Sequence, residues 1–202
     1  MSQVPPSILS RWQITETELT ALVAANPSLR GILFGYVAEL HFRKLFEANP
    51  HVTSPHKEDD HNRTKKGDLI VTYKGHQFVL ESKSLQTNSI RRDGTVFRGK
   101  AQVDASDRRK LTLPNGRRVE TTCLLVGEFD ILGVNVYAFE DRWRFVFALN
   151  RDLPRTGFRK YSPYQRKHLL ATLVDVSWPP EPPFVEDPFV LLDRVVKERS
   201  KQ

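Results

Sequence analysis

The chain has 202 residues, of which 39% are hydrophobic, and its formal net charge is +7 with a sequence pI near 9.6, which predicts a globular, single-domain protein with a sizeable core. Its single cysteine, Cys123, excludes an internal disulfide and a zinc site built from cysteines. No apolar run reaches the length of a membrane span and the N-terminus lacks a signal-peptide pattern, so we expect a cytoplasmic protein.

The positive charge is concentrated in two stretches. Residues 84–118 hold nine Lys and Arg against three Asp, and residues 151–168 hold six against one Asp. Such surfaces attract phosphate backbones and supply affinity that does not depend on base sequence. A solvated basic face with no nucleic-acid partner is the alternative.

A short helix is predicted between residues 15 and 26. Thr15 is a suitable N-cap, and Glu18, three residues later, completes a capping box. The helix is expected to end at Asn26, because the following proline disfavours helical backbone at the residue before it.

A longer helix, from about Ser28 to Ala48, is predicted to be amphipathic. At 100° per residue its apolar side chains fall on one arc, which we expect to face the core. Glu39 falls inside that arc. Burying an unpaired carboxylate is costly, so we expect Glu39 to bind metal or to pair with Arg43, four residues later. The apolar members of the arc are Ile32, Leu33, Tyr36, Leu40 and Phe46.

Residues 49–66 form a polar connection that we expect to be a solvated loop. Its three histidines are five residues apart, a spacing that matches no helical face, and no cysteine accompanies them. A zinc site is therefore not predicted here. Lys65 and Lys66, at the end of the connection, are candidates for contact with phosphate.

Residues 65–84 predict a β-hairpin that carries charges at its strand ends. Two apolar runs flank Lys74-Gly75, which favours a tight turn between antiparallel strands. Asp68 opens the first strand, while Glu81 and Lys83 close the second on one face, because a spacing of two returns to the same side of a strand. The two carboxylates suit a divalent metal, and Lys83 beside it would orient a water or stabilise charge on a phosphate.

This pattern, Gly67-Asp68, twelve residues, then Glu81-Ser82-Lys83, resembles the PD-(D/E)xK nuclease superfamily, with glycine where the name-giving proline would stand. The resemblance covers about residues 30–110. It implies an α/β fold with a central mixed β-sheet flanked by helices, a restriction-endonuclease-like core. It also implies Mg²⁺, with Mn²⁺ as a possible substitute, held by Asp68 and Glu81, and it implies Glu39 from the preceding helix as a further catalytic acid and metal ligand.

The activity that the resemblance implies is cleavage of phosphodiester bonds in double-stranded DNA. A small chain without fused domains looks like a type II restriction endonuclease, and a DNA repair nuclease is the alternative within that class. A nucleic-acid-binding protein without catalysis belongs to a different class. A third class is a structural or interaction protein that uses the proline-rich segment and the helix at the C-terminal end. For Glu81 and Lys83 themselves, the alternative is a salt-bridged edge strand.

After Lys83 the apolar periodicity is lost until about residue 99, which predicts a long loop. Residues 100–110 predict a short helix on which Gln102 and Arg109 share a face. In the superfamily a polar residue on the helix after Glu-x-Lys touches the site, and the resemblance nominates Gln102 for that role. The candidate nucleic-acid contacts are Lys65, Lys66, Arg91, Arg92, Arg98, Lys100, Gln102, Arg108 and Arg109.

Further strands are predicted downstream. Asn115-Gly116 predicts a hairpin between residues 111–113 and 118–125, and strands at 132–139 and 143–149 bring the sheet to at least five strands. Glu128 and Asp130 form a second acidic pair. We rank it below the hairpin, because no lysine follows in register and an aspartate in a turn commonly bonds to backbone.

Residues 177–200 are predicted to form a proline-rich strap and a final helix, from Asp187 to about Arg199, outside a core of about residues 28–150 in one domain, 1–202. The helix presents Phe189, Leu192 and Val196 on one face. This face has no assigned partner in the chain. The helix either docks on the core or pairs with a second copy, and its apolar face is our candidate interface for a homodimer whose two sites cut the two DNA strands.

Overall fold

A computed structural model describes residues 7–57 and 67–201, and the chain divides into two compact units, residues 1–38 and 39–202. The first unit is helical: α1 (Ile8–Trp12) and α2 (Glu16–Ala25) precede α3 (Pro27–Glu47), which continues into the second unit. The Thr15 hydroxyl accepts a hydrogen bond from the Glu18 amide, and the Glu18 carboxylate accepts one from the Thr15 amide. The predicted capping box is therefore confirmed.

The break between α2 and α3 falls at the predicted Asn26-Pro27 dipeptide. The Asn26 side-chain amide donates to the Leu22 carbonyl at 2.7 Å, and Pro27 opens α3. No single helix in the described part of the chain is long and apolar enough to cross a membrane. α2 and α3 reach that length and composition only together, as a pair bent by 112°.

The apolar arc predicted for α3 is wrong in its N-terminal part. The helix buries Ala38, Phe42 and Phe46, which follow one another at intervals of four. Periodicity marks an apolar face but does not show which of two apolar faces is covered. The exposed members of the predicted arc are Ile32, Leu33, Tyr36 and Leu40.

The second unit is built on strands, with two further short helices and a C-terminal one, α4 (Tyr137–Glu140), α5 (Pro163–His168) and α6 (Pro188–Arg199). The described strands form three sheets. In chain order they are β1 (Val52–His56), β2 (Leu69–Tyr73), β3 (His76–Ser84), β4 (Arg91–Asp93), β5 (Val96–Gln102), β6 (Asp104–Thr112), β7 (Arg118–Cys123), β8 (Ile131–Asn135), β9 (Phe145–Leu149) and β10 (Leu173–Trp178).

The main sheet has five strands in the order β1-β2-β3-β8-β9. β3 and β8 are parallel, and the other neighbouring pairs are antiparallel. The predicted α/β fold, with a central mixed sheet of at least five strands flanked by helices, is confirmed.

The other described strands form a three-stranded antiparallel sheet, β10-β5-β4, and the ribbon β6-β7. Strands β4, β5 and β6 occupy the stretch predicted as a loop and a helix. Both of those predictions are wrong. Gly99, Ala101 and Val103 are buried whereas Lys100 and Gln102 are exposed, which is the period of two expected for a strand. The buried positions hold small residues, so the sequence pattern is faint. The predicted hairpin at Asn115-Gly116 is confirmed as the β6-β7 ribbon.

The strand predicted at residues 132–139 ends early. The Asn135 side-chain oxygen accepts a hydrogen bond from the Tyr137 amide at 2.9 Å, and α4 begins at that residue. An asparagine that bonds to backbone two residues later commonly initiates such a turn. The following strand, predicted from residue 143, begins at Phe145.

Both faces of the central sheet are covered by apolar side chains. One face packs against Phe42 and Phe46 of α3 and Leu192 of α6. The other packs against residues of the second sheet such as Ala101 and Val174. β8 is accordingly buried at all five positions, as expected of a strand enclosed on both sides.

The C-terminal helix α6 is confirmed, but its predicted role as a free dimer interface is wrong. The Phe189 ring lies 5.7 Å from the ring of Phe46 and 5.6 Å from that of Tyr73, measured between centroids. Leu192 is fully buried, and Val196 packs against the same cluster. This face of the helix already packs within its own chain.

Candidate active site

The predicted hairpin is formed by β2 and β3. Leu69 pairs with Leu80 and Tyr73 with His76, so two residues connect the strands. Lys74 and Gly75 have φ values of +48° and +80°, and positive φ at both central residues is the geometry of the tight turns whose twist matches that of paired strands.

Asp68 lies immediately before β2 and is fixed by the neighbouring strand. Its amide donates to the Leu80 carbonyl at 2.8 Å, and its carboxylate accepts a hydrogen bond from the Ser82 amide at 2.7 Å. Gly67 precedes it with φ +86°, and a Cβ there would come within 2.4 Å of the Val79 side chain. Glycine suits this position because the backbone there is left-handed and has no space for a side chain.

Glu81 and Lys83 lie on one face of β3, as predicted from their spacing. Phe78 and Leu80 of the same strand join the cluster under α3 and α6, so Glu81 and Lys83 point to the opposite face. The Lys83 ammonium donates to the Glu81 carboxylate at 2.8 Å. Their side chains are only 24% and 14% exposed, which makes this a partly enclosed pair rather than a solvated strand edge.

Burial and the nearby charge of Asp68 raise the pKa of Glu81 from 4.5 to about 7, although Lys83 acts in the opposite direction. Burial alone would lower the pKa of Lys83, but the carboxylates of Glu81 and Asp68 outweigh it and raise that pKa. Lys83 is therefore a cation at neutral pH. Glu81 changes charge close to neutrality, a property that is common at catalytic sites.

Two further carboxylates contribute to the field at this site. Asp104, at the start of β6, raises the pKa of Lys83, and Glu128 raises that of Glu81. We did not predict Asp104, because residues 100–110 do not read as a strand that returns to the hairpin. The neighbourhood of Lys83 is set by the sheet topology and is not visible in the spacing of residues along the chain.

The carboxylates of Asp68 and Glu81 fit a hard divalent cation. Their repulsion, which helps to raise the pKa of Glu81, is the kind that a bound dication relieves. In the described part of the chain, no three or more His, Cys, Asp or Glu residues form a group that could hold a metal ion. Two carboxylates still suit Mg²⁺, which commonly takes one or two from the protein and the rest of its oxygens from water and phosphate.

The raised pKa of Glu81 makes the stability of the metal-free protein depend on pH. Between pH 4.5 and about 7 the folded protein holds this proton more tightly than the unfolded chain does. The resulting stabilisation is complete below pH 4.5 and is lost as the pH rises through about 7. We compare the free energy of unfolding of wild type with that of Glu81→Gln. As the pH rises from 4.5 to 8, wild type should lose on the order of 3 kcal/mol relative to the variant.

Urea denaturation in EDTA across this pH range measures that difference. Glu120→Gln, at an exposed position of β7, is the matched control and should stay at a constant difference from wild type. A constant difference for Glu81→Gln as well would contradict the raised pKa.

Glu39 is partnered by a different residue than expected. Its carboxylate accepts a hydrogen bond from the Lys57 ammonium at 2.6 Å, and its side chain is 30% exposed. Arg43 pairs instead with Glu47, at 2.6 Å. The predicted pair of Glu39 with Arg43 is therefore wrong. The role of Glu39 as a further acid and metal ligand stays a prediction.

The second acidic pair is tied into the fold. The Glu128 carboxylate accepts hydrogen bonds from both terminal nitrogens of Arg109. It also accepts one from the Leu125 amide. Asp130 accepts from the Val79 amide at 2.8 Å and pairs with Arg199 at 2.6 Å. Both carboxylates thus have partners within the protein and do not need a metal ion. This agrees with ranking Glu128 and Asp130 below the hairpin as a candidate site.

Three basic residues of the second sheet share its outer face. Arg91 pairs with Arg98 in register, and both, with Lys100, line a cavity of about 360 Å³. Two carboxylates lie in the same cavity: Glu181 accepts two hydrogen bonds from Arg98, at 2.8 and 2.9 Å, and Asp175 accepts one from Lys100 at 2.7 Å. The second sheet adjoins the end of the hairpin, because Leu85 just after β3 bridges to Ala101 of β5.

The remaining candidates for nucleic-acid contact differ in their surroundings. Arg92 lies over the Phe97 ring at 5.2 Å, and Arg108 is exposed. Gln102, on a strand rather than the predicted helix, accepts a hydrogen bond from the Gln86 side chain at 3.0 Å. Arg109 is committed to Glu128 inside the fold. Lys65 and Lys66 lie outside the described residues.

Comparison with known proteins gives one partial likeness. No protein-family model and no curated protein matches the sequence. The solved structure of a bacterial homing endonuclease, I-Ssp6803I, is similar to 68% of this chain over 86% of its own length, with 19% sequence identity and a TM-score of 0.35. A TM-score below 0.5 is too low to support a functional inference.

Proposed function

We propose that this protein is a metal-dependent endonuclease that hydrolyses phosphodiester bonds in double-stranded DNA. The observation that carries the proposal is the convergence of Asp68, Glu81 and Lys83 at one end of the β2-β3 hairpin. The Ser82 amide holds Asp68, and the Lys83 ammonium holds Glu81 at 2.8 Å. Two carboxylates that could hold a divalent cation, beside a lysine that stays charged, suit the hydrolysis of a phosphodiester.

Asp68 and Glu81 would hold Mg²⁺, or Mn²⁺ in its place. When bound, the dication would neutralise charge on the phosphate, lower the pKa of the attacking water and stabilise the leaving oxygen. Lys83 has three N–H donors and, as a cation, no lone pair to accept a proton. Its role is therefore to position the water and stabilise the negative charge that develops on the phosphate.

DNA is the proposed substrate because the chain is basic and the basic residues lie beside the hairpin. Arg91, Arg98 and Lys100 line one cavity of the second sheet, whose strand β5 bridges to the residue after β3, and we propose that they contact the phosphate backbone. We further propose a type II restriction endonuclease acting as a homodimer, because cutting both strands of a duplex requires two hairpin sites.

Incubation of supercoiled plasmid with the protein tests the function. Nicked or linear DNA should appear with Mg²⁺ and not with EDTA, and Ca²⁺ should support binding without cleavage, because its looser coordination positions water and phosphate poorly. A mobility-shift assay in Ca²⁺ separates the alternatives. Binding without cleavage in Mg²⁺ or Mn²⁺ would indicate a nucleic-acid-binding protein, and neither binding nor cleavage would refute the proposal.

The carboxylates on the outer face of the second sheet should weaken DNA binding, because phosphates must replace them at Arg98 and Lys100. We expect the double variant Glu181→Gln, Asp175→Asn to bind a duplex roughly threefold to tenfold more tightly in Ca²⁺, the range open to exposed ion pairs. Fluorescence anisotropy at several salt concentrations measures this.

Asp193→Asn is the matched control, since Asp193 pairs with Lys74 at 2.6 Å at an exposed position of α6. Its affinity should equal that of wild type. An unchanged affinity of the double variant would show that DNA does not use this face.

A further inference from the structure

We propose that the N-terminal helical unit is a docking surface for a second copy of this chain. The surface is defined by the large apolar side chains of residues 7–38 that are exposed: Ile8, Trp12, Leu22, Leu29, Ile32, Leu33 and Tyr36.

In the described residues of this unit, only Ala38 at its end is buried. None of residues 7–37 is buried, and α1 and α2 contain no buried residue. The seven apolar side chains that define the surface are 39–61% exposed. Isolated helices of this length are marginal in water, and helices in proteins are stabilised mainly by packing an apolar face. The unit therefore requires a partner to cover it.

The apolar side chains on α3 form a continuous stripe. Leu29, Ile32, Leu33 and Tyr36 follow at intervals of three and four, and at 100° per residue they span an arc of about 100°. Phe42, one of the buried residues of the same helix, falls outside this arc. A stripe of this width is the usual contact face between two packed helices.

The charges of the unit do not suit nucleic acid. Residues 7–38 contain two arginines, Arg11 and Arg30, and two glutamates, Glu16 and Glu18, so the unit is neutral in a chain whose net charge is +7. A phosphate backbone requires an excess of cations, and residues 7–38 have none. A neutral, apolar helical surface is instead complementary to itself, which is the requirement for a two-fold interface.

The area also matches association of two copies. Seven large side chains at 39–61% exposure offer apolar surface on the order of 700 Å², close to the roughly 800 Å² that each partner contributes to an interface of standard size. The apolar face of α6, the other helical candidate, packs within its own chain. Association through the N-terminal unit would also supply the two sites of the proposed nuclease, but the inference stands on the surface itself and not on that activity.

The solution mass of the full chain tests the inference. In size-exclusion chromatography with light scattering, the measured mass of wild type should be twice the chain mass of 23.3 kDa. Ile32→Glu, at a position 61% exposed, should raise the dimer dissociation constant at least 100-fold and give the monomer mass, because the charge would be buried in the interface. The double variant Leu29→Gln, Leu33→Gln should do the same without introducing charge. Both variants should keep the wild-type β-sheet signal in circular dichroism, which shows that the second unit is folded.

Two controls separate the outcomes. Val190→Glu, at an equally exposed apolar position of α6 (59%), should remain a dimer. Asp68→Ala should also remain a dimer whether or not it cuts DNA, so failure of the nuclease proposal does not affect this test. A monomeric wild type at 100 µM would overturn the inference, and so would unchanged association of both N-terminal variants. Flotation of a monomer with phosphatidylcholine vesicles would assign the surface to a lipid interface instead.

Discussion

Replacement of Asp68, Glu81 or Lys83 by alanine should reduce DNA cleavage by on the order of 10³-fold or more while the fold persists. Each substitution removes several kcal/mol of transition-state stabilisation, and about 1.4 kcal/mol corresponds to a tenfold change in rate. None of the three is needed for core packing. Single-turnover cleavage of a plasmid in Mg²⁺, with urea denaturation of each variant beside it, measures both quantities.

A matched pair of control residues lies on the β6-β7 ribbon. Lys110 and Glu120 are register partners and both are exposed, so they form a lysine and glutamate pair on strands without an enclosed site. Lys110→Ala and Glu120→Ala should cleave at the wild-type rate. If Asp68→Ala or Glu81→Ala also cuts at that rate, the site has been assigned to the wrong residues.

Glu128→Ala should lower the free energy of unfolding by about 3 kcal/mol, the lower end of the range for breaking a buried ion pair. The Glu128 side chain is 4% exposed and binds both terminal nitrogens of Arg109. Its removal leaves that guanidinium in a partly buried position and leaves the Leu125 amide without its acceptor. Guanidinium denaturation of wild type and variant gives the difference.

The comparison variant for Glu128→Ala is Glu140→Ala. Glu140 pairs with Arg144 at side-chain exposures of 36% and 30%, and exposed pairs contribute less than about 1 kcal/mol. Equal losses of stability in the two variants would show that the Glu128–Arg109 pair stabilises the fold no more than an exposed ion pair does. Activity lost by Glu128→Ala is to be compared with its folded fraction, because a destabilised protein loses cleavage without losing a catalytic group.

The elements predicted correctly depend on residues close together in sequence. The Thr15 and Glu18 capping box joins groups three residues apart, and the turn at Lys74 and Gly75 joins two adjacent strands. Glu81 and Lys83 share a face because a strand alternates with a period of two. These features are local, so the spacing of residues contains the information needed to predict them.

The elements predicted wrongly are those whose burial depends on residues from distant parts of the chain. The strands at residues 96–112 carry small buried residues, Gly99 and Ala101, whose weak hydrophobic signal does not reveal alternation. The apolar face of α6 is indistinguishable in sequence from a free interface. It packs on Phe46 and Tyr73, which are more than a hundred residues away along the chain.

By itself the sequence determined the hairpin, its three charges at one strand end and the boundaries of α2, α3 and α6, since short-range hydrogen bonding and residue periodicity specify them. Only the tertiary structure decided that Asp104 and Glu128 act on the same charges, that Lys57 is the partner of Glu39, and that α3 leaves its N-terminal stripe exposed. The physical reason is that burial and electrostatic fields act through space. Residues far apart in the chain meet only after the sheets have assembled.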